Sequence, residues 1–352
     1  MSVSSRAPTA RSQTIRVGIV DDSSVMRALI RRSLEEEGDF VIVGEAGDPY
    51  EARSMIKATS PDVVTLDIEM PRMNGLDFLQ KIMTLRPMPV IMVSTLTEAG
   101  ANATIEALAL GAVDCIAKPG PEHQGSFGLL PRKVRAAASA RLPSLQRSVA
   151  RPRVRSGGRY QRIIGIGAST GGVEALLRTI PLFPHDAPPT VIVQHMPRAF
   201  TRSFAERLNA RSAVTVTEAS EGDVLRSGHV YLAPGSDTHL TVKHGGQARC
   251  QLVSGDPISG HRPSIDVLFQ SLCQGAPHSV GCLLTGMGRD GAQGLKDLYD
   301  LGCPTVVQDE ETSVVFGMPR AAWELSACDR LTPIDAIAET VLSCAAQDIA
   351  PS

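Results

Sequence analysis

The chain has 352 residues, 43% of them hydrophobic and 20% charged, with a formal net charge of −2. That length predicts two domains, and the near-neutral charge argues against a general nucleic-acid binder. No apolar run approaches the ~18 residues that span a bilayer, which argues against membrane insertion.

Residues 1–14 are polar, carry Arg6 and Arg11, and lack an apolar segment. They read as a disordered tail and not as a signal peptide. Seven cysteines (115, 250, 273, 282, 303, 328 and 344) are scattered, odd in number and contain no C-x-x-C pair. This usage suits buried thiols in a reducing cytosol better than disulfides or a zinc site, so a cytoplasmic location is expected.

From residue 15 to 131 the chain alternates short β-branched or apolar runs with amphipathic segments. Ile15–Val20, Val41–Gly44, Val63–Leu66, Val90–Val93 and Asp114–Ala117 read as strands, and Val25, Met26, Leu29, Ile30 and Leu34 as one helix face. The alternation predicts an α/β fold: a doubly wound, five-stranded parallel sheet whose functional groups gather at the carboxyl ends of the strands. Asp21 and Asp22 close the first strand, Asp67 the third, Ser94 follows the fourth and Lys118 the fifth. Asp48 and Asp62 read as solvated acids.

Three carboxylates at one sheet edge repel one another unless a cation sits among them. Magnesium prefers such oxygens and bridges to phosphate. Asp67 then reads as a carboxylate nucleophile toward phosphorus, with Lys118 neutralising the added charge and Ser94 in reach of a phosphoryl oxygen. Val20-Asp-Asp22, Leu66-Asp67-Ile-Glu-Met-Pro-Arg-Met-Asn-Gly75, Val93-Ser94 and Ala117-Lys118-Pro119 resemble the receiver domain of two-component response regulators. The resemblance implies phosphorylation of Asp67 by a histidine kinase and Mg2+ held by Asp21, Asp22, Asp67 and the Glu69 backbone carbonyl. It also implies that Ser94 and Lys118 form the phosphoryl switch. Cys115 departs from the pattern, standing where many receivers carry an aromatic residue.

Residues 132–158 are rich in Arg, Ala, Ser and Pro and read as a basic interdomain linker. The second domain, 159–349, again alternates strand and helix. In the stretch Ile163 to Leu176 an apolar strand runs into Gly167-Ala-Ser169-Thr-Gly171, a G-x-S-x-G turn in which small neighbours let the backbone bend and expose a serine. The helix that follows aims N–H groups at the same spot. Gly165 and Gly167 also begin a G-x-G-x-x-G fingerprint, but Thr170 stands in the third glycine's place, and no lysine follows Gly171 or Gly172. From the turn alone, a catalytic serine, a nucleotide site and a structural turn remain open.

Thr190–Val193 ends in Gln194-His195, and Leu283-Leu-Thr-Gly-Met-Gly-Arg-Asp290 repeats the strand-and-glycine layout. Three strands of one sheet would thus bring Ser169, His195 and Asp290 to one crevice, as nucleophile, general base and orienting acid. The rival order Ser–Asp–His of α/β-hydrolases would use His261 or His278 with Asp223, Asp237 or Asp256; His239 and His244 read as residues flanking a turn.

Ile164-Gly-Ile-Gly-Ala-Ser-Thr-Gly-Gly172, Val193-Gln-His-Met-Pro197, Tyr231-Leu-Ala-Pro-Gly235, Arg262-Pro-Ser-Ile-Asp-Val-Leu-Phe269, Leu284-Thr-Gly-Met-Gly288 and Thr312-Ser-Val-Val-Phe-Gly-Met-Pro319 resemble the CheB family of chemotaxis protein-glutamate methylesterases. The match spans roughly residues 15 to 345 and has the family's domain order. It implies a mostly parallel, Rossmann-like catalytic sheet, Ser169, His195 and Asp290 as the triad, the Met287 N–H as an oxyanion donor, and Thr170 as a positioning neighbour. It further implies demethylation of glutamate γ-methyl esters on chemoreceptors, deamidation of receptor glutamines, and a CheA-type kinase as phosphoryl donor. The expected state is a monomer that binds no nucleic acid and needs no metal for ester hydrolysis. A transcriptional regulator and a silent scaffold are the competing classes; the second half shows no helix-turn-helix pattern.

Overall fold

The computed structural model describes residues 14–70, 72–95, 97–119, 126–142 and 162–346. The expected tail up to residue 13 and the basic linker from 143 onward lie outside them. The first domain runs β1 (Ile15–Val20), α1 (Ser24–Glu35), β2 (Phe40–Ala46), α2 (Pro49–Thr59), β3 (Val63–Asp67), α3 (Gly75–Leu85), β4 (Val90–Ser94), α4 (Glu98–Ala109), β5 (Asp114–Ala117) and α5 (Leu130–Ala138). Its sheet has the order β2-β1-β3-β4-β5 with every pair parallel. Strand order reverses between β1 and β3, and in open α/β sheets ligands bind at that switch point. Asp21 and Asp67 stand there.

Local chemistry starts the helices where the strands stop. Ser23 Oγ accepts from Met26 N, the Asp48 carboxylate from Tyr50 N and Glu51 N, and Asn74 Oδ1 from Leu76 N. Asp48 is therefore a buried helix cap, paired also with Arg72 at 2.7 Å, and not a solvated acid. Asp62 is exposed, as read, and also accepts the Arg16 N–H at 2.8 Å. On α1 only Ile30 and Leu34 are buried, while Val25 is 68% and Leu29 40% exposed. Residues four apart stay on one helix face, and 30 and 34 are the pair turned to the core. Helix α5 occupies 130–138, so ordered structure packed against α1 continues past the point where the sequence reading begins the linker. Val134, Ala136 and Ala137 are buried there, an apolar face the Arg-rich composition had masked.

The second domain runs β6 (Ile163–Ala168), α6 (Gly172–Thr179), β7 (Thr190–Gln194), α7 (Arg198–Asn209), β8 (Thr215–Glu218), β9 (His229–Leu232), β10 (Thr238–Lys243), β11 (Arg249–Ser254), α8 (Ile265–Cys273), β12 (Ser279–Leu283), α9 (Ala292–Asp300), β13 (Thr305–Gln308), α10 (Met318–Glu324), β14 (Leu331–Thr332) and α11 (Ile334–Ala346). Seven strands form a parallel sheet in the order β14-β13-β12-β6-β7-β9-β8, and β10 and β11 make a separate antiparallel hairpin. Strand β12 ends at Leu283, so the Leu283–Asp290 segment is the turn beyond that strand.

Central β6 explains its own glycines. A Cβ on Gly165 would lie 2.4 Å from Leu272 Cδ1, and one on Gly167 2.3 Å from Ile265 Cγ2. Helix α8 packs so closely over this strand that only glycine fits, a reason for the G-x-G pattern that involves no nucleotide. The two domains touch extensively. Ala101, Ile105 and Leu108 of α4 share one apolar core with Leu176 of α6 and Phe200 and Phe204 of α7. Burying such side chains is worth roughly 1.5–3 kcal/mol each for the larger ones.

Candidate active site

Ser169 sits immediately beyond β6 and His195 immediately beyond β7. These neighbouring strands pair Ala168 with Gln194, so the two functional residues occupy adjacent positions at the carboxyl edge. The turn is held from several sides. Ser169 N donates to Thr285 O at 3.0 Å, Gly172 N to Ser169 O at 2.7 Å, and Gln194 Nε2 to Ser169 O at 2.9 Å. Gly171 adopts φ 78°, the left-handed conformation that favours glycine, and a Cβ there would strike Val314 Cβ at 2.5 Å. Ser169, His195 and Met287 line one cavity of about 290 Å³.

Asp290 reaches the same edge from the turn after β12. It is 1% exposed, and its Oδ2 accepts from His195 Nε2 at 2.8 Å. The N-terminus of α8 supplies the rest of its shell: Ser264 Oγ at 2.7 Å, Ile265 N at 2.8 Å and Asp266 N at 3.2 Å. Burial would raise its pKa. The bond from His195, the Ile265 N–H and the Ser264 hydroxyl outweigh burial and hold the carboxyl down at about 2. Asp290 is thus a fixed anion. With Nε2 committed to it, the other His195 nitrogen, Nδ1, is buried and has no hydrogen-bond partner among the described residues. An imidazole oriented in this way can take a proton at Nδ1 and have the resulting charge stabilised through Nε2. The Thr170 and Met287 N–H groups have no acceptor among the described residues, which leaves both free to donate to an oxyanion.

The Ser–Asp–His rivals do not assemble. His278 precedes β12, at the opposite end of the sheet from Ser169, and is exposed. Asp237 pairs with Arg262, Asp223 accepts the Ser220 N–H, and Asp256 offers a backbone carbonyl to His239 Nε2. His239 is a buried residue whose Nδ1 accepts the Ser264 N–H at 3.1 Å, so it braces the helix end that grips Asp290. His244 bonds the Ser271 carbonyl. His261 lies in the site itself, its ring stacked on His195 with centroids 3.8 Å apart and planes 3° from parallel.

Sequence reasoning missed Gln194, His239, Ser264 and the α8 N–H groups. A signal existed for the last: Ser264-Ile-Asp266 ahead of an apolar run is a helix-start pattern. It also missed Asp114, at the start of β5. Its carboxylate accepts from Thr170 Oγ1 at 2.6 Å, across the domain boundary, and from Lys133 Nζ at 2.6 Å. The Val113 carbonyl accepts the Gly171 N–H at 3.2 Å. Receiver groups therefore hold both residues that follow Ser169.

At the other sheet edge, Asp21, Asp22 and Asp67 bring carboxylate oxygens within 4.8 Å of one another. Lys118 Nζ lies 3.0 Å from Asp21 and 2.8 Å from Asp67. Burial pushes Asp67 up to about 6, with Lys118 opposing the shift and Asp21 adding to it. Three carboxylates against one ammonium leave an excess of negative charge on hard oxygen donors, a set that fits a divalent cation such as Mg2+. Glu69 N donates to Asp67 Oδ1 at 3.3 Å. Ser94 Oγ is directed at the Thr95 and Gly100 carbonyls at 3.1 and 3.3 Å, on the α4 side and not at Asp67. Cys115 is buried, and burial pushes its thiol up to about 12.

A CheB methylesterase family model matches residues 164–341, and a response regulator receiver domain model matches residues 17–125. The chain is 52% identical over 341 residues to a protein-glutamate methylesterase/protein-glutamine glutaminase 1 of Caulobacter vibrioides, covering 94% of this chain and 98% of that one. It is 52% identical over 335 residues to a protein-glutamate methylesterase/protein-glutamine glutaminase of Rhizobium etli, covering 94% and 96%. Among solved structures, the catalytic domain of Thermotoga maritima CheB methylesterase is similar with a TM-score of 0.50 and 38% identity, over 52% of this chain and 97% of that one.

Proposed function

Because this chain belongs to the CheB methylesterase family, with a receiver domain in front, we propose that it hydrolyses glutamate γ-methyl esters on chemoreceptors to glutamate and methanol, under control of receiver phosphorylation. The same acyl transfer releases ammonia from receptor glutamines. The observation that carries the reading is the His195–Asp290 bond at 2.8 Å beside the Ser169 turn.

Ser169 Oγ attacks the side-chain carbonyl carbon as His195 Nδ1 takes its proton. Asp290 stabilises the imidazolium through Nε2, and the Met287 and Thr170 N–H groups face the oxyanion. The tetrahedral species expels methanol, which leaves with the proton from Nδ1. Water, deprotonated by the same nitrogen, then attacks the glutamyl-serine ester; the product carboxylate leaves and Ser169 Oγ regains its proton.

In the receiver, Asp67 accepts a phosphoryl group from a CheA-type kinase. Asp21, Asp22, Asp67 and the Glu69 carbonyl would hold Mg2+, which supplies charge neutralisation for phosphoryl transfer when bound. Lys118 pairs with the added charge and Ser94 reorients toward it. The contacts of Asp114 and Val113 with Thr170 and Gly171 support a gate, in which the unmodified receiver denies a receptor helix bundle access to Ser169. The domain split at 15–131, 132–158 and 159–349 fits this reading, with α5 added to the receiver.

The test is release of methanol from methylated receptor by the full chain, with and without phosphorylation. Ser169→Ala should abolish release and leave the fold intact. Release at the wild-type rate by that variant would remove Ser169 as nucleophile.

A further inference from the structure

Asp290 restrains His195 at one nitrogen only. A ring tethered at Nε2 can still swing about that bond, and Nδ1 has no hydrogen-bond partner among the described residues to stop it. The face of the ring is what is held, because His261 lies flat on it at 3.8 Å with an interplanar angle of 3°. We propose, on the reading of Ser169 and His195 as nucleophile and base, that His261 is a positioning residue: it fixes the plane in which His195 presents Nδ1 and lays a neutral aromatic face against the imidazolium.

Three observations support this role. The first is that His261 is rigidly mounted. Ile258 and His261 exchange both backbone hydrogen bonds, at 2.9 and 3.0 Å, around Ser259 and Gly260, whose φ values are 54° and 78°. A two-residue turn with both central φ values positive is tightly defined. The next residue, Arg262, is pinned to the Gly255 carbonyl at 2.8 Å and to Asp237 at 2.6 Å. A stacked ring on this mount resists rotation of its partner.

Electrostatics supply the second. Burial first, then the neighbouring His195, push His261 down to about 3, although Asp290 pulls the other way; Arg132 and Lys133 of α5 add to the lowering. His261 therefore stays neutral at neutral pH. A neutral aromatic face attracts a cation laid against it.

The third is a polar atom with no other explanation. His261 Nε2 is buried and has no hydrogen-bond partner among the described residues. Leaving such an atom unsatisfied is a net cost to the fold. A loop histidine of purely structural value would be expected to turn that nitrogen to solvent.

The experiment compares His261→Phe, which keeps a flat ring, with His261→Leu and His261→Ala, which do not. The full chain is used, and the readout is the rate at which a serine-directed fluorophosphonate labels Ser169. Alongside it, NMR of the His195 Hε1 proton reports the ring-current field of its stacking partner. Labelling should fall about 10²-fold in the Leu and Ala variants, as for a misplaced catalytic group. It should return to within about threefold of wild type in the Phe variant. The Hε1 signal should move downfield in Leu and Ala and hold its place in Phe. Wild-type labelling rates in Leu and Ala would overturn the proposal, and so would a Phe variant as slow as Ala. An unshifted Hε1 signal in Ala would overturn it without any reference to rate. Failure to label wild type would sink both this proposal and the serine-hydrolase reading. Labelling without methanol release would sink the receptor-ester reading alone and leave the role of His261 to be decided by the variants.

Discussion

Replacing Asp114 by alanine removes the carboxylate through which the receiver holds Thr170, the residue next to Ser169. The Thr170 hydroxyl donates to Asp114 at 2.6 Å, and Asp114 is 9% exposed, so water does not substitute for the bond while the domains stay closed. A hydrogen bond to a charged group is worth about 1.5–3 kcal/mol. At ~1.4 kcal/mol per factor of ten, the closed arrangement should lose about 10- to 150-fold against the open one. The Gly171 to Val113 backbone bond and the packing of α4 on α6 and α7 remain, so closure is weakened and not abolished. Lys133 loses its partner, but its side chain is 18% exposed and can turn toward solvent. Methanol release from methylated receptor by the unphosphorylated full chain should therefore rise, up to the ceiling set by phosphorylated wild type. The phosphorylated variant should match phosphorylated wild type, because the bond is already broken in the open state. An unphosphorylated rate unchanged or lowered, in a variant that melts like wild type, would refute the latch.

Asp290→Asn should lower kcat by about 10⁴-fold with KM little changed, since an amide opposes one of the four N–H and O–H donors converging on this carboxylate and cannot stabilise the imidazolium; steady-state kinetics check it. Gly286→Ala would put a Cβ 2.7 Å from Ser169 Cβ and 2.5 Å from Met318 Sδ. Overpacking of this kind costs about 1–3 kcal/mol, so calorimetry should show a lowered Tm and fluorophosphonate labelling of Ser169 should fail. Asp67 binds its proton more tightly folded, at about 6, than the ordinary 3.8. Between those values the folded state holds more protons, so stability of the metal-free receiver should fall as pH rises from about 4 to about 6. Asp67→Asn should flatten that slope in urea titrations, and Mg2+ should restore stability above pH 6. Asp67→Ala should take no phosphoryl group from a histidine kinase, as followed with labelled phosphate.

The sequence by itself determined the two α/β units, because β-branched runs alternating with amphipathic segments have few other ways to bury their apolar surface. It also determined which chemistry stood at the strand ends: Asp21, Asp22, Asp67 and Lys118 in one sheet, Ser169, His195 and Asp290 in the other. Strand ends are legible because a parallel sheet carries every residue that follows a strand to the same edge. Contacts between elements remote in the chain were decided only by the tertiary structure. The α8 N-terminus holds Asp290 as an anion, yet Ser264 and Asp290 are far apart in the chain and no local pattern links them. His261 read only as a candidate base of the rival order until the turn at 258–261 folded its ring onto His195. The helix at 130–138 was obscured by arginines whose charge describes its outer face and says nothing of the inner one. Asp114 read as one end of a strand; that it reaches Thr170 in the other domain depends on the packing of α4 against α6 and α7, an association of surfaces that neither domain's own periodicity encodes.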